Sequence, residues 1–166
     1  MTAVDLDLVR VWLTEPHVAR WYLSGSTIEE EIADLEKCVT EEEPTHALMV
    51  VEHGRDIGWC QWYRCADYPE HARAVGAEAN DIGLDYAVGD PTRIGRGVGT
   101  ALIGCLVAHI RKCHPGAGLI ADPDAANLAS RRALEKNGFV PQGERAIATE
   151  RTDAPMAIYR LPPTLI

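Results

Sequence analysis

The run Arg93-Ile-Gly-Arg-Gly-Val-Gly-Thr100 is where the residue types and spacing of this 166-residue chain most directly imply chemistry. Three glycines at alternate positions let a backbone approach a ligand closely, because no Cβ stands in the way. Where such a run opens a helix, successive N–H groups point outward and form a site for an anion. Arg93 and Arg96 add positive charge to the loop, so the expected anion is a phosphate. The same glycines would also serve a tight strand-to-helix turn that binds nothing. A Walker A loop is excluded, since no Gly-Lys-Ser/Thr follows. A dinucleotide fingerprint would use Asp122, about twenty residues further on, but Thr100 stands where its third glycine belongs and only one strand–helix–strand crossover is evident. The other reactive residue types lack a metal pattern. No cysteine forms a C-x-x-C pair, and His109 and His114 are separated by the end of a helix, so no metal is expected.

The elements around the loop must hold it between a strand and a helix. Ile82 to Val88 reads as the strand before it, closed by Gly89-Asp-Pro91. Gly97 to Lys112 carries apolar residues at 98, 101, 102, 105 and 106, which is helical spacing, with Arg111 and Lys112 in the last turn. Pro115-Gly116 ends that helix, and Leu119 to Ala121 is a short strand. Asp124 starts a helix from Ala125 to Asn137, stopped by Gly138. Upstream, Leu6 to Leu13 and Glu15 to Tyr22 read as helices, the second with Pro16 in its first turn. Thr27-Ile-Glu-Glu30 has the capping-box form and opens a helix to about Glu41. His46 to Glu52 and Ile57 to Cys65 form a hairpin around Gly54-Arg-Asp56, and residues 66 to 80 read as a loop. Val140 to Thr149 and Pro155 to Leu161 close the chain as two strands. The order is mixed α/β with one parallel step, expected as a single domain over residues 1–166.

Charge narrows the partners. The chain holds 25 acidic against 16 basic residues, a net charge of −9, whereas gripping a nucleic-acid backbone needs the opposite sign. The longest apolar stretches, Ala47 to Val51 and Ala101 to Ala108, fall far short of the roughly 18 residues of a membrane span. The N-terminal MTAVDLDLVR puts acids where a signal peptide carries basic residues. Nucleic acid, membrane and export all become poor fits, and a cytoplasmic protein with a cationic partner is expected. The five cysteines then read as free thiols, buried or half-buried, in a reducing cytosol.

Leu84-Asp-Tyr-Ala-Val88, Gly95-Arg-Gly-Val-Gly-Thr100, Asp122-Pro-Asp-Ala-Ala-Asn127 and Leu134-Glu-Lys-Asn-Gly-Phe139 stand in an order that resembles the GNAT acyltransferases. Trp12-Leu-Thr-Glu-Pro-His-Val18, Trp21-Tyr22, Ile57-Gly-Trp-Cys-Gln61 and Ile82-Gly-Leu-Asp85 make it similar to the aminoglycoside 6'-N-acetyltransferases among them. The resemblance implies a mixed, mostly antiparallel central sheet with a parallel strand–helix–strand step and helices on both faces. It implies acetyl-CoA as cosubstrate, with its phosphates at Arg93, Ile94, Gly95, Arg96, Gly97, Val98, Gly99 and Thr100. Pantetheine would run beside Tyr86, Ala87 and Val88 and face Asn127. Asp85 would be the base for direct attack by an amine in a ternary complex, and a backbone N–H near Val88 would polarise the thioester. Two positions depart from the family. Leu134 stands where a tyrosine is frequent, and leucine cannot donate a proton, so the general acid is unassigned and Ser130, one turn earlier, is a candidate. Asp5-Leu-Asp-Leu8 already reads as helix where the family opens with a strand, so that strand is expected to be missing.

An aminoglycoside carries several ammonium groups, so the resemblance also asks for carboxylates. Glu78, Asp81, Asp85, Asp122 and Asp124 are candidates, with Asp122 and Asp85 foremost and Gln61 as a neutral contact. One exposed ion pair is worth about 0.2–1 kcal/mol, so several acids must converge in a partly dry cleft. Trp21 and Tyr22 are expected to wall the site with their ring faces, with a core position as the alternative for Trp21, since aromatics at helical spacing are common core residues. Glu41-Glu-Glu43 reads as a solvated helix end. Other acceptors within the same fold are a siderophore hydroxylysine or a protein amino group. An acyl-CoA-binding module without turnover is the alternative of a different class, suggested by Leu134. Monomer and homodimer both stay open.

Overall fold

His53 and Gly54 both hold positive φ, 48° and 75°, the backbone of a two-residue type I′ hairpin turn. In the computed structural model, which describes residues 1–164, that turn joins β1 (His46–Glu52) to β2 (Arg55–Arg64), with Glu52 opposite Arg55. The turn expected at Gly54–Asp56 thus lies earlier, because the left-handed backbone falls on 53 and 54. β2 pairs antiparallel with β3 (Ile82–Val88), which pairs in parallel with β4 (Leu119–Ala121). β6 (Met156–Leu161) and β5 (Val140–Arg145) complete a six-stranded sheet of order β1-β2-β3-β4-β6-β5. One parallel step in an otherwise antiparallel sheet is the expected architecture. Among the described residues no strand precedes the first helix, and β1 forms the sheet edge.

Alternation along the strands sends side chains to two helical layers. Trp59 and Ala87 meet α1 (Leu6–Leu13), α2 (Pro16–Tyr22) and α3 (Ile28–Val39) through Val9, Leu13, Val18 and Leu35. Cys60, Trp62 and Leu84 meet Ile103, Leu106 and Ile110 of α5 (Val98–Cys113) and Leu134 of α6 (Leu128–Lys136) on the other face. Thr27 accepts from the Glu30 N–H at 3.2 Å while the Glu30 carboxylate accepts from the Thr27 N–H at 2.8 Å, so the predicted capping box starts α3.

Several boundaries differ from the sequence reading. Residues 66 to 80 are not simply a loop. Pro69 opens α4 (Pro69–Val75) and Gly76, at φ 72°, closes it, while Val75 buries against Ile120 and Ile158. The buried face of α5 runs through Leu102, Ile103, Leu106, Val107 and Ile110, which leaves Ala101 and Cys105 exposed. Cys105 and Cys113 are therefore exposed thiols, whereas Cys60 and Cys65 are buried. β5 stops at Arg145 rather than Thr149, because Ile147 turns into the core beside Met156 and Ile158. α6 begins at Leu128, since Asn127 supplies the cap by accepting from the Ser130 N–H at 3.1 Å, and Asp124 instead accepts from the Ala126 N–H in a turn.

Asp81, buried before β3, fixes the lower end of the sheet. Arg160 of β6 donates to both its oxygens, at 3.2 and 2.9 Å, and the Glu78 N–H donates at 2.8 Å. Removing one partner of a buried pair leaves the other unsatisfied. Asp81→Ala is therefore expected to lower unfolding stability by about 3 kcal/mol in urea denaturation. A loss below about 1 kcal/mol would show that the pair does not secure this end of the sheet.

Candidate active site

β3 and β4 share only two pairs, Ile82–Leu119 and Gly83–Ile120, and then part. The Ile82 N–H donates to Gly118 O on the β4 side, and the Gly89 N–H donates to Ile57 O on the β2 side. Strand alternation therefore puts the backbone of Leu84, Tyr86 and Val88 on the side of the gap. Val88 O accepts a hydrogen bond from His17 Nε2 at 2.9 Å, and the Val88 N–H faces the gap. A ligand with amide groups can pair there as a short strand would.

The glycine loop lies beyond the open end of that strand. Gly95 and Gly97 hold φ of 71° and 78°, and a Cβ built on either meets no atom within 4 Å, so the loop surface is open. Gly97 is the N-cap of α5, no side chain caps it, and the first bond of the helix is from the Ala101 N–H to Gly97 O. The amides of Val98, Gly99 and Thr100 are thus free of intrahelical partners, as an anion cradle needs. Arg96 is exposed beside them. Arg93 is not available as expected, because its guanidinium is ion-paired with Glu52 at the end of β1.

On the α1–α3 face, the gap opens into a cavity of about 420 Å³. Trp21, Tyr22, Gln61, Asp85, Asp122 and Asn127, all predicted site residues, line it. Trp21 stands outside the apolar core, with the Arg20 guanidinium 4.4 Å above its ring. Tyr22 faces the cavity and also packs on Trp59 at 5.1 Å. Asp85 is exposed to the cavity, yet protein surrounds it closely enough to displace most bulk water. That burial, with the negative charges of Asp122 and Glu150, pushes its carboxyl up to about 7. Asp122 is 8% exposed, its Oδ2 accepts no hydrogen bond, and burial followed by Glu150 pushes it to about 7 also.

Glu78 and Asp81 do not join them. Both are held by Arg160 at the opposite end of β3, so their place in the substrate site is withdrawn. The cavity walls carry other acids: Glu31, Asp34, Asp124 and Glu150. Glu31 and Asp34 share Arg151, at 3.7 and 2.7 Å. His71 of α4 lies 3.4 Å from Asp122 Oδ2 and 3.8 Å from Glu150, and bonds Thr149 Oγ1 at 2.9 Å. His71, Asp122 and Glu150 have ligand atoms within 4.8 Å of one another, a set suited to a cation. Tyr63 supports His71 at 6.2 Å, and it crosses β3 only because Gly83 has no Cβ, which would stand 2.2 Å from the ring. His71, Glu31 and Glu150 were not legible as site residues. His71 fell in the supposed loop, and nothing local marks Glu31 or Glu150.

The family model for the acetyltransferase (GNAT) domain matches residues 2–147. An aminoglycoside N(6')-acetyltransferase type 1 of Klebsiella pneumoniae is 26% identical over 147 residues, spanning 86% of this chain and 73% of its own. The lysine N-acyltransferase MbtK of Mycobacterium tuberculosis is 29% identical over 161 residues, 95% of this chain and 72% of its own. Among solved structures, the aminoglycoside acetyltransferase AAC(6')-Ib in complex with coenzyme A and kanamycin superposes with a TM-score of 0.74 at 23% identity, covering 98% of this chain and 91% of that one. At that identity the likeness shows the fold.

The raised acids set a pH dependence of stability. Asp122 holds its proton to about 7 when folded, against 3.8 for an ordinary aspartate. Its contribution is fully present below about 3.8 and is lost as the pH rises through about 7. Asp122→Asn removes that loss. The variant's stability relative to wild type should therefore rise between pH 5 and pH 8 in urea titrations. A difference that stays flat over this range would show that Asp122 ionises in the folded protein as an exposed acid does.

Proposed function

Since the chain belongs to the GNAT acetyltransferase family, we propose that it transfers an acetyl group from acetyl-CoA to an amine of a polycationic aminoglycoside, at the 6' position. The attack is direct, in a ternary complex. The observation that carries this reading is the acid pair Asp85 and Asp122, set where the parted strands meet an acid-walled cavity.

In this reading the cosubstrate pyrophosphate lies on the amides of Val98, Gly99 and Thr100 and on the loop from Ile94 to Gly97, with Arg96 as the nearby cation. Pantetheine pairs with the gap-facing backbone of β3 over Leu84, Tyr86 and Val88, and Asn127 faces it from the start of α6. A gap-facing N–H of β3 beside the cavity donates to the thioester oxygen as negative charge develops on it. Asp85 accepts a proton from the bound ammonium and exposes the nitrogen lone pair. A carboxyl near 7 is a better base than an ordinary aspartate and is still partly ionised at neutral pH. Asp122 and Glu150 hold the acceptor's other ammonium groups, Gln61 is a neutral partner, and Trp21 and Tyr22 offer ring faces.

A second reading has the same chemistry on a lysine-type amine. It is favoured by the likeness to mycobacterial lysine N-acyltransferases, which extends over more of the chain than the likeness to the Klebsiella enzyme. One experiment separates the readings: thiol release from acetyl-CoA with kanamycin, ribostamycin and Nα-blocked lysine or hydroxylysine as acceptors. The aminoglycoside reading expects kcat/KM to be highest for acceptors with a 6'-amine. Higher values for lysine-type amines would transfer the assignment to the second reading, and saturable acetyl-CoA binding with no turnover on any amine would leave a binding module.

Two substitutions test the assigned roles. Asp85→Asn is expected to lower kcat by roughly 10²-fold or more while leaving the acetyl-CoA dissociation constant near wild type. The wild-type kcat/KM should rise with pH through about 7, as Asp85 loses its proton, and this limb should vanish in Asp85→Asn. Gly97→Val strains a residue at φ 78° and places a side chain on the open loop surface. It should weaken acetyl-CoA binding at least about tenfold in titration calorimetry. Unchanged binding would remove the loop from the phosphate site.

A further inference from the structure

The phenol of Tyr86 and the hydroxyl of Ser130 lie 2.5 Å apart across the gap between β3 and α6. The contact is unusual in its setting. Tyr86 is next to Asp85, but strand alternation points it to the opposite face, toward α5 and α6, while Asp85 faces the α1–α3 side. Both residues nevertheless line the same cavity, because the sheet is open between them and β4. Ser130 is held from behind as well, since its N–H is bonded by Asn127 Oδ1 at 3.1 Å. Leu134, four residues on along the same face of α6, is fully buried in the core and offers no donor.

Resting on the acyltransfer reading above, we infer that Ser130, oriented by Tyr86, is the group that receives the leaving thiolate. Atoms and charge balance as follows. An acceptor arrives as an ammonium and leaves as an amide, so its nitrogen loses two protons. The first goes to Asp85 and on to solvent. The nitrogen–carbon bond then forms and the carbon–sulfur bond breaks, with the electron pair going to sulfur. Ser130 Oγ gives its proton to sulfur, and the second nitrogen proton replaces it. One proton is released overall, and neither hydroxyl remains charged. Tyr86 donates to Ser130 Oγ, which turns the serine proton toward the gap. Burial raises the Tyr86 phenol well above its ordinary value, so it holds its own proton and acts as a positioning residue. The two faces of the sheet thereby divide the labour, with the base where the amine enters and the donor where the thiol departs.

The test uses the full chain and two readouts. In the first, bound coenzyme A is titrated by its thiolate absorbance, which needs no acceptor. A hydroxyl donating to sulfur favours the thiolate, so the bound thiol should titrate below free coenzyme A in wild type, and Ser130→Ala should abolish at least half of that shift. Identical thiol titrations in wild type and Ser130→Ala would overturn the inference while leaving the acyltransferase reading intact. Failure to bind coenzyme A at all would overturn both. In the second readout, Ser130→Ala should lower kcat with acetyl-CoA by about 10- to 100-fold, with KM within about threefold. Tyr86→Phe should lower it less, and Ser130→Thr should restore it. Substituting an acetyl thioester of a more acidic thiol should shrink the Ser130→Ala loss, because a better leaving group needs less help. An equal loss with both donors would mark Ser130 as structural and overturn the assignment. Thermal melts of each variant identify any loss due to unfolding.

Discussion

The site depends on the parting of β3 and β4 after two residue pairs. Buried backbone groups in a sheet normally take each other as partners, so an unclosed gap leaves donors and acceptors that need satisfaction. The cause of the parting can be traced along the chain after Ala121. Pro123 has no N–H to give a ladder, and its carbonyl accepts from Ala157 at 2.8 Å. Two residues on, the Ala125 N–H donates to Pro155 O at 2.9 Å. The chain is drawn toward β6 and away from β3. Val88 O finds His17, and the remaining groups of Leu84, Tyr86 and Val88 face the gap. An extended amide-bearing ligand would supply the partners that β4 does not.

A consequence of the same parting is that side chains from both faces of one strand reach a single cavity. In a closed sheet Asp85 and Tyr86 would be separated by a wall of backbone. Here Asp85 shares its surroundings with Tyr22, Asp122 and Glu150, while Tyr86 reaches Ser130 on α6. Gly83 contributes from the last paired position. Its missing Cβ lets Tyr63 cross the strand and support His71, so one small residue helps set both the sheet and the cation-seeking face of the cavity.

Much of the architecture was legible because it is encoded locally. The capping box at Thr27, Pro16 at a helix start and the apolar strand from Ile82 each act within a few residues, and each is found where the pattern puts it. The ordered motifs drew attention to the glycine loop, which is open, and to Asp85, Trp21 and Tyr22, which line the cavity. What escaped is set by tertiary packing. Ile147 ends β5 by burying itself, which no propensity at Thr149 reveals. α4 forms because Val75 finds Ile120 and Ile158 across the sheet. Asp81 and Glu78 looked like substrate acids by sequence nearness to β3, yet Arg160, 79 positions beyond Asp81, claims both. Ser130 was visible only as a hydroxyl on a helix, and its partner Tyr86 could not be paired with it without the gap.

The net charge of −9 is informative only once the cations are located. Arg160 is engaged with Asp81 and Glu78, Arg131 with Glu144, Arg93 with Glu52, and Arg151 with Asp34 and Glu31 at the cavity wall. Among the described residues, Asp122 and Glu150 have His71 as their ion-pair partner, and Asp85 has none. Burying acids without cations disfavours their ionised form, and the elevation of both Asp85 and Asp122 to about 7 expresses that cost. The arriving ammonium groups of a guest would remove the penalty by supplying charge that the chain has placed elsewhere. In the proposed reaction, binding and proton transfer would then be linked through the same carboxylates. A cationic acceptor would stabilise the ionised pair and so make Asp85 available as a base when an amine is present. At the proposed phosphate end the structure offers something different, since Arg93 is already paired and the backbone amides at the start of α5 are left uncapped. The parted strands thus lie between a carboxylate-lined cavity and the uncapped amides at the start of α5.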